Sequence, residues 1–213
     1  MTVYGDAEVR VVPDEIILKL EVETLNTDLN LSKKENDQRT KKILDVARKN
    51  KIGEKHIQTD FISIYPRYDT SRYARKFVGF EVSKSIVLEI RDVSKFEAIL
   101  SEVLDAGANY VRDVIFRTTE LKKYRDQARS HAIKAAREKA NNLAKELGQR
   151  VGKPYIIQEE GVQAVTRRDR SGLMGPQGTL YGSGSSTSND DTIALGQIKI
   201  SAKIVVCFEL LEP

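Results

Sequence analysis

The sequence predicts an α+β fold built on an antiparallel sheet, and three observations carry that prediction. Residues 15–24 alternate apolar and polar side chains, which is the pattern of a half-buried strand. Residues 121–147 place alanine and leucine on one stripe with the helical period of about 3.6 residues. From residue 15 to residue 118, strand-like and helix-like segments follow the order βαββαβ, the split βαβ order of ferredoxin-like units. Helices on one face of such a sheet define the class as α+β.

The first half of the chain supplies most of that core. A strand is expected at residues 3–12, and Pro13 ends it because proline cannot donate to a strand ladder. After the strand at 15–24, a helix is expected from about residue 31 to residue 50, with a very polar first half that predicts a solvated surface. Its clearest buried positions are Ile43, Leu44, Val46 and Ala47. Strands at 57–65 and 78–90 follow, joined by the aromatic and basic connector PRYDTSRYARK.

The second half adds two helices and three strands. Residues 93–107 read as a helix with a capping box at Ser94 and Glu97. A strand at 110–118 precedes the long alanine-rich helix, and a short strand at 155–158 and a long final strand at 194–210 follow it. We expect the long helix to pack on the βαββαβ sheet. Its alanine face predicts an unusually close approach of the helix backbone, since alanine offers little apolar area per residue.

Residues 163–192 interrupt an expected single domain over residues 1–213. They have no hydrophobic period and are rich in glycine and serine, which predicts a flexible loop insertion. Loops of this length are usually functional or disordered. Simple disorder and ordering against another subunit therefore both stay open.

Composition narrows the class of protein. The net charge of +4 comes from 35 basic and 31 acidic residues, so it is a weak indication of polyanion binding. The one cysteine, Cys207, excludes an intrachain disulfide. No apolar run approaches the roughly 18 residues of a membrane span, and no signal-peptide pattern follows Met1. The expected location is the periplasm or cell envelope if a leader was removed, and the cytoplasm otherwise.

The residues that carry chemistry are few and scattered. His56 and His131 are the only histidines and belong to different predicted elements, so neither a metal site nor a catalytic triad can be assembled around them. Cys207 has no resolving cysteine and is interpreted as a packed side chain. The sequence therefore predicts no catalytic residue, no metal site and no cofactor, and a protein that is not an enzyme.

Several phrases in fixed order resemble the SIMPL domain family, which includes stress-defence proteins of the bacterial cell envelope. Residues 3–24 resemble its N-terminal signature, and residues 128–153 its alanine-rich helix. Further matches lie at Gly53, Ile57, Thr59, Phe61, Ser63, Pro66, Tyr68, Gly79, Phe80, Gly107, Ala108 and Asn109. Ala7 departs from the family pattern, which often has glycine there. The resemblance implies an α+β domain without known catalytic residues, often exported, forming homo-oligomers and associated with tolerance of oxidative stress.

Two functional hypotheses follow. The preferred one is a non-enzymatic, self-assembling protein of the cell envelope or of a stress response, supported by the resemblance, by the long loop and by strands at both chain ends that are expected to be sheet edges. The alternative is an anion-binding module for nucleic acid or an acidic membrane surface, using the basic face of the long helix and the loops.

The partners expected from these hypotheses begin with copies of the same chain. Another protein partner and peripheral membrane contact stay open, and nucleic acid is disfavoured because acidic residues interrupt the basic helix face. The connector between the two middle strands is interpreted either as a hairpin end with snorkelling side chains or as a binding or subunit-contact loop. The candidate interaction surface consists of Arg67, Tyr68, Arg72, Tyr73, Arg75, Arg167, Arg168 and Arg170.

Overall fold

The computed structural model describes residues 1–69, 75–165 and 196–212, with the side chains of residues 161–165 excepted. In chain order the elements are β1 (Thr2–Val11), β2 (Glu15–Asn26), α1 (Leu29–Lys49), β3 (Ile57–Asp69), β4 (Lys76–Ile90), α2 (Phe96–Asp105), β5 (Tyr110–Arg117), α3 (Leu121–Glu146), β6 (Arg150–Val165) and β7 (Ile198–Leu211). The predicted α+β class with antiparallel sheets and a long C-terminal strand is confirmed.

The chain divides into two compact units. The central unit is Asp14–Arg117, and the terminal unit combines Met1–Pro13 with Thr118–Pro213. Each unit holds its own sheet. The expectation of one domain over residues 1–213 stays a prediction.

The central unit contains an antiparallel sheet in the order β3-β4-β2-β5. Alternation along β2 and β4 points one set of side chains toward α1, as the period-two pattern predicts. Ile16, Leu18, Leu20, Ile86 and Leu88 are all fully buried there. Helix α1 contacts β2, β4 and α2. The assignment of this unit to the ferredoxin-like type stays a prediction.

The first half of α1 corrects one expectation from the sequence. Ser32 and Asn36 are completely buried and Thr40 is nearly so, although a solvated surface was expected there. Asn36 Nδ2 donates to the carbonyl oxygens of Val22 and Val82 at 2.8 and 2.9 Å. Ser32 Oγ donates to the carbonyl oxygen of Thr24 at 3.1 Å. Ser32 and Asn36 can be buried because strand carbonyl groups accept their hydrogen bonds, and Thr40 Oγ1 donates to Asn36 Oδ1 at 3.4 Å.

The predicted capping box at the second helix is wrong. Helix α2 begins at Phe96, and Lys95 stands at its N-cap without a side-chain hydrogen bond to the helix. Ser94 lies in the preceding 3-10 turn, and its hydroxyl bonds to Asp92 Oδ1 at 2.5 Å instead. The chain enters α2 through that turn, which takes the place of a side-chain cap.

The terminal unit contains a second sheet, in the order β1-β7-β6, and α3 packs on β1 and β7. The expectation that the long helix packs on the βαββαβ sheet is therefore wrong, because α3 packs on the sheet of the terminal unit. The C-terminal strand β7 is the central strand of this sheet and not an edge. Strand β6 also runs well beyond the expected residues 155–158. Pairing of Thr2 with Cys207 joins the two ends of the chain, a contact that local patterns cannot reveal.

The expected close approach of α3 to its sheet is present. Five alanines form the buried stripe of the helix: Ala128, Ala132, Ala136, Ala140 and Ala144. A Cβ atom on Gly5 of β1 would lie 2.0 Å from the carbonyl oxygen of Ala132 and 2.6 Å from the backbone nitrogen of Ala136. Only glycine permits this approach. Leu143 and Leu147, which the sequence assigns to the same stripe, are exposed.

The predicted loop insertion at residues 163–192 falls mostly outside the described residues. Its first three residues, 163–165, belong to β6. Residues 166–195 are not among those that the structure describes.

Candidate interaction surface

Strand β3 forms one edge of the central sheet. It pairs with β4 along one side, and no other strand of the described residues pairs with its opposite side. At 13 residues it is long for an edge strand. Pro66 within it is compatible with that position, because proline in sheets is confined largely to edges and bulges. The outer side of β3 therefore offers backbone groups for pairing with another strand.

Large apolar side chains are exposed on both faces of β3. Phe61 and Tyr65 are 58% and 46% exposed, and Ile62 and Ile64 are 56% and 47% exposed. Phe61 and Tyr65 stand opposite Ser85 and Glu81 of β4, whereas the isoleucines fall on the other face. A strand that shields only one sheet face would alternate apolar with polar residues. The sequence of β3 instead matches a strand that is covered on both faces.

A small aromatic cluster lies at the far end of the β3–β4 pair, which is the end next to the connector. The rings of Tyr68 and Phe77 meet edge to face with centroids 5.7 Å apart, and Phe77 meets Phe80 in the same way at 5.2 Å. The Arg75 guanidinium lies 4.3 Å from the centroid of the Tyr68 ring. Edge-to-face and cation–π contacts of this kind stabilise the end of a strand pair. Both strands thus extend into the connector, to Asp69 on one side and from Lys76 on the other.

A buried carboxylate ties β3 to β4. Glu81 is only 3% exposed, and it accepts hydrogen bonds from the Tyr65 hydroxyl and the Arg67 guanidinium. Arg67 also lies 3.4 Å from Glu23 Oε1. The hydrogen bond to the Glu81 carboxylate raises the pKa of Tyr65 and the pKa of Arg67. Arg67 is therefore engaged by two carboxylates and serves to hold the strand pair together.

A second carboxylate on the same sheet face is paired in a similar way. Glu21 of β2 accepts hydrogen bonds from the Arg112 guanidinium of β5 and from the Ser83 hydroxyl of β4. The hydrogen bond from Arg112, and after it the one from Ser83, lowers the pKa of the Glu21 carboxyl, against the opposing effect of burial. Charged side chains on this face therefore connect three neighbouring strands.

The residues proposed from the sequence are only partly placed. Arg67, Tyr68 and Arg75 lie together at the far end of the β3–β4 pair. Arg72, Tyr73, Arg167, Arg168 and Arg170 lie outside the described residues. Sequence reasoning overlooked the four apolar side chains of β3 and the buried Glu81. The run FISIY, apolar at both odd and even positions, was the available signal for a strand covered on both faces.

The remaining histidine and cysteine side chains of interest have partners of their own. His56 Nδ1 is 2.7 Å from Glu89 Oε2, and Cys207 Sγ is 3.1 Å from Thr2 Oγ1. Within the described ranges, no group of three or more His, Cys, Asp and Glu side chains could hold a metal ion. In the same part of the chain, no helix is both long and apolar enough to cross a membrane. The chemistry that this surface offers is strand pairing and apolar contact.

Comparison with known proteins gives a family but no activity. The profile of the SIMPL family, described as a protein of unknown function (DUF541), matches residues 1–208. The uncharacterized protein YggE of Escherichia coli K12 is 28% identical over 153 residues, which cover 72% of this chain and 62% of YggE. The 26 kDa periplasmic immunogenic protein of Brucella melitensis is 27% identical over 164 residues, which cover 75% of this chain and 66% of that protein. The chain thus spans somewhat under two thirds of the length of YggE.

Proposed function

This chain belongs to the SIMPL family of proteins of unknown function, and we propose that it is a non-enzymatic, self-assembling protein of the cell envelope or of a stress response. The observation that supports the proposal is the β3 edge, which has one side that no described strand pairs with and apolar side chains on both faces. Residues 61–65 support pairing with a second copy, because their exposed apolar side chains would be covered by it. A solvated edge strand is usually short or carries charged side chains, whereas β3 has 13 residues and its Pro66 lies just after residues 61–65.

Assembly through β3 can be stated in structural terms. Two copies of β3 that pair antiparallel about a two-fold axis would join two central sheets into one larger sheet. The outer N–H and C=O groups of each β3 would then exchange hydrogen bonds. Phe61, Ile62, Ile64 and Tyr65 would pack against their counterparts across the axis, which removes apolar surface from water.

The location is the second part of the proposal. The Brucella melitensis relative is named as a periplasmic protein, and we extend that location to this chain. The absence of disulfides is compatible with either compartment, since the chain has one cysteine. Cell fractionation of the full-length protein tests this part, and recovery in the cytoplasm alone would contradict it.

The assembly experiment compares molecular masses in solution. The chain mass is 24.0 kDa, so light scattering coupled to size exclusion should give a multiple of that value for the parent protein. The double variant Ile62→Lys, Ile64→Lys places two charges on the exposed edge and should give a monomer. Val111→Lys, at an exposed position on the opposite edge strand β5, is the matched control and should assemble like the parent.

Two outcomes would overturn the assembly proposal. One is a parent protein that stays monomeric at high concentration. The other is a double variant that assembles as fully as the parent while its circular dichroism spectrum is unchanged.

A second candidate function is the anion-binding module. It rests on exposed basic residues along α3, among them Lys122, Lys134 and Lys145. Two of the neighbouring cations are engaged, because Lys123 lies 2.8 Å from Glu120 and Arg129 lies 2.8 Å from both Asp126 and Glu159. This pairing weakens the electrostatic argument. Binding to DNA, RNA or anionic vesicles that falls steeply with salt would favour this candidate over self-assembly alone.

A further inference from the structure

A groove lies beside α3 within the terminal unit, and the proposed assembly does not use it. It has a volume of ≈ 300 Å³ and opens between α3, β6 and β7. Helix α3 contacts β1 and β7 more extensively than β6, because Gly5 lets the helix backbone lie close over β1. The apolar side chains of β6 next to the helix are therefore left uncovered, and they form one wall of the groove.

Apolar side chains form the floor and the walls. Val206 and Phe208 of β7 are buried and form the floor. Ile133 of α3 and Ile157 of β6 are exposed and stand on opposite walls. Ile157 pairs with Val206 across the sheet, so both side chains point to the same face. A concave, mainly apolar lining of this kind is typical of small-molecule sites.

The charged groups that line the groove, Arg137 and Lys153, are both positive. Arg137 and Asn141 follow Ile133 at intervals of four residues, so the three side chains lie on one side of α3. Lys153 stands on the β6 side, and no acidic residue among those that the structure describes lines the groove. Within the part of the chain that the structure describes, Arg137, Asn141 and Lys153 form no side-chain hydrogen bond or ion pair. Two cations and an amide donor thus border an apolar floor.

We propose that this groove binds an aliphatic monocarboxylate of medium chain length. The tail would lie over Val206 and Phe208, between Ile133 and Ile157, where it leaves water. The head would lie between Arg137 and Lys153. A guanidinium group offers paired N–H donors that match the two oxygens of a carboxylate, and the lysine adds a second positive charge.

The size of the groove favours one aliphatic chain. Its volume of ≈ 300 Å³ stands at the lower end of the range for ligand pockets, about 300–1,000 Å³. A lipid with two acyl chains and a large headgroup exceeds that space. An ion without a tail would leave the apolar walls in contact with water.

The test measures binding of three probes to the full chain by isothermal titration calorimetry at low salt. Decanoate has both a charged head and a tail, decanol keeps the tail without the charge, and acetate keeps the charge without the tail. Decanoate should bind at least about tenfold more tightly than either of the others, since each lacks one class of contact. Absence of decanoate binding, or equal binding of decanoate and decanol, would overturn the proposal.

Variants separate the two parts of the site. Arg137→Gln and Lys153→Gln should each weaken decanoate binding about tenfold while leaving decanol binding unchanged, because each removes one charged contact to the head. Lys134→Gln is the matched control, an exposed cation next to Ile133 that does not line the groove. Ile157→Asp should weaken both ligands. Unchanged decanoate affinity in Arg137→Gln and Lys153→Gln, with normal thermal unfolding, would contradict the proposed site.

The site and the assembly can fail independently. The groove belongs to the terminal unit, whereas Ile62 and Ile64 belong to the central unit. The double variant Ile62→Lys, Ile64→Lys should therefore bind decanoate with the affinity of the parent protein. Loss of decanoate binding in that variant would mean that the groove is not a self-contained site, and would overturn the inference.

Discussion

Helices α1 and α3 each place a buried stripe of side chains against an antiparallel sheet, but the two stripes differ in chemistry. The buried stripe of α1 begins with Ser32, Asn36 and Thr40, whereas that of α3 consists of five alanines. Both advance by about four residues at a step, so each is a line along one side of its helix. The first half of the α1 stripe is polar, whereas the α3 stripe is apolar throughout.

The difference shows two ways for a helix to lie close to a sheet. Helix α3 does so by van der Waals contact, with its backbone against Gly5. Helix α1 does so by hydrogen bonds from Asn36 to carbonyl groups on two strands. The first arrangement is sensitive to added volume, and the second is sensitive to lost hydrogen bonds. A change of volume and a change of polarity should therefore affect the two units unequally.

Buried polar residues follow the same division. Among the described residues, all buried polar and charged side chains except Thr118 belong to the central unit. They include Glu81, which links β3 to β4, and Asn36. The central unit is thus held by polar contacts in addition to its apolar core, and the terminal unit mainly by close apolar packing.

The largest effect is expected from Gly5→Ala. The added methyl group would lie 2.0 Å from the carbonyl oxygen of Ala132, which belongs to a helix backbone and cannot rotate away. We expect the free energy of unfolding to fall by about 3 kcal/mol or more, the upper end of the range for overpacking. Urea unfolding followed by circular dichroism measures it.

Gly53→Ala is the control for that substitution. The nearest atom to its Cβ position is His56 Cδ2 at 3.6 Å, an ordinary contact. The change should stay within about 0.5 kcal/mol. Equal stability of the Gly5 and Gly53 variants would show that α3 does not lie close over β1.

An intermediate effect is expected from Asn36→Ala. The substitution removes the two hydrogen bonds to the carbonyl oxygens of Val22 and Val82 inside a fully buried site. The free energy of unfolding should fall by about 2–3 kcal/mol, since buried acceptors lose their partner. Asn30→Ala, at an exposed position of the same helix, should change it by less than about 0.5 kcal/mol. If the two variants unfold alike, the polar stripe does not stabilise the central unit.

The smallest effect concerns pH. The hydrogen bond from Arg112 lowers the pKa of Glu21 below its ordinary value of 4.5 in the folded protein. A carboxyl with a lowered folded pKa stabilises the fold above its unfolded pKa, and this contribution is lost as the pH falls through the folded value. Because Arg112 is half exposed, the contribution should be about 0–1 kcal/mol.

In Glu21→Gln, the free energy of unfolding should therefore fall less steeply than in the parent protein as the pH is lowered below 4.5. Denaturant unfolding at a series of pH values measures the slope, with Glu138→Gln at an exposed position of α3 as the control. If the dependence of the free energy of unfolding on pH changes equally in both variants, the contact between Arg112 and Glu21 does not stabilise the protein.

Local patterns in the sequence predict most of the helices and strands. They also predict the close packing of α3. The alanine period predicts the buried stripe of that helix, and alternation predicts β2 and β4. The polar stripe of α1 was overlooked because serine, asparagine and threonine usually indicate solvated surface. The spacing of Ser32, Asn36 and Thr40, in line with Ile43 and Ala47, was the signal that contradicted this interpretation.

The arrangement of strands could not be predicted from local patterns. Whether the chain forms one sheet or two depends on the pairing of β1 with β7, which joins residues at opposite ends of the sequence. The length of β6 was underestimated because its early part contains glycine, lysine and proline. The candidate surface was also only partly anticipated. Its cations attracted attention, although Arg67 is engaged by Glu81 and Glu23 and the exposed apolar side chains lie in β3.

We propose above that β3 pairs with a second copy of the chain. Hydrogen–deuterium exchange of the parent protein at low and high concentration tests it most directly, because pairing protects the outer amides of β3. We predict that peptides covering Ile57–Asp69 exchange more slowly at high concentration, while peptides covering the other edge strand, Tyr110–Arg117, do not change. Exchange in β3 that is independent of concentration, in a protein that light scattering finds monomeric throughout, would contradict the claim.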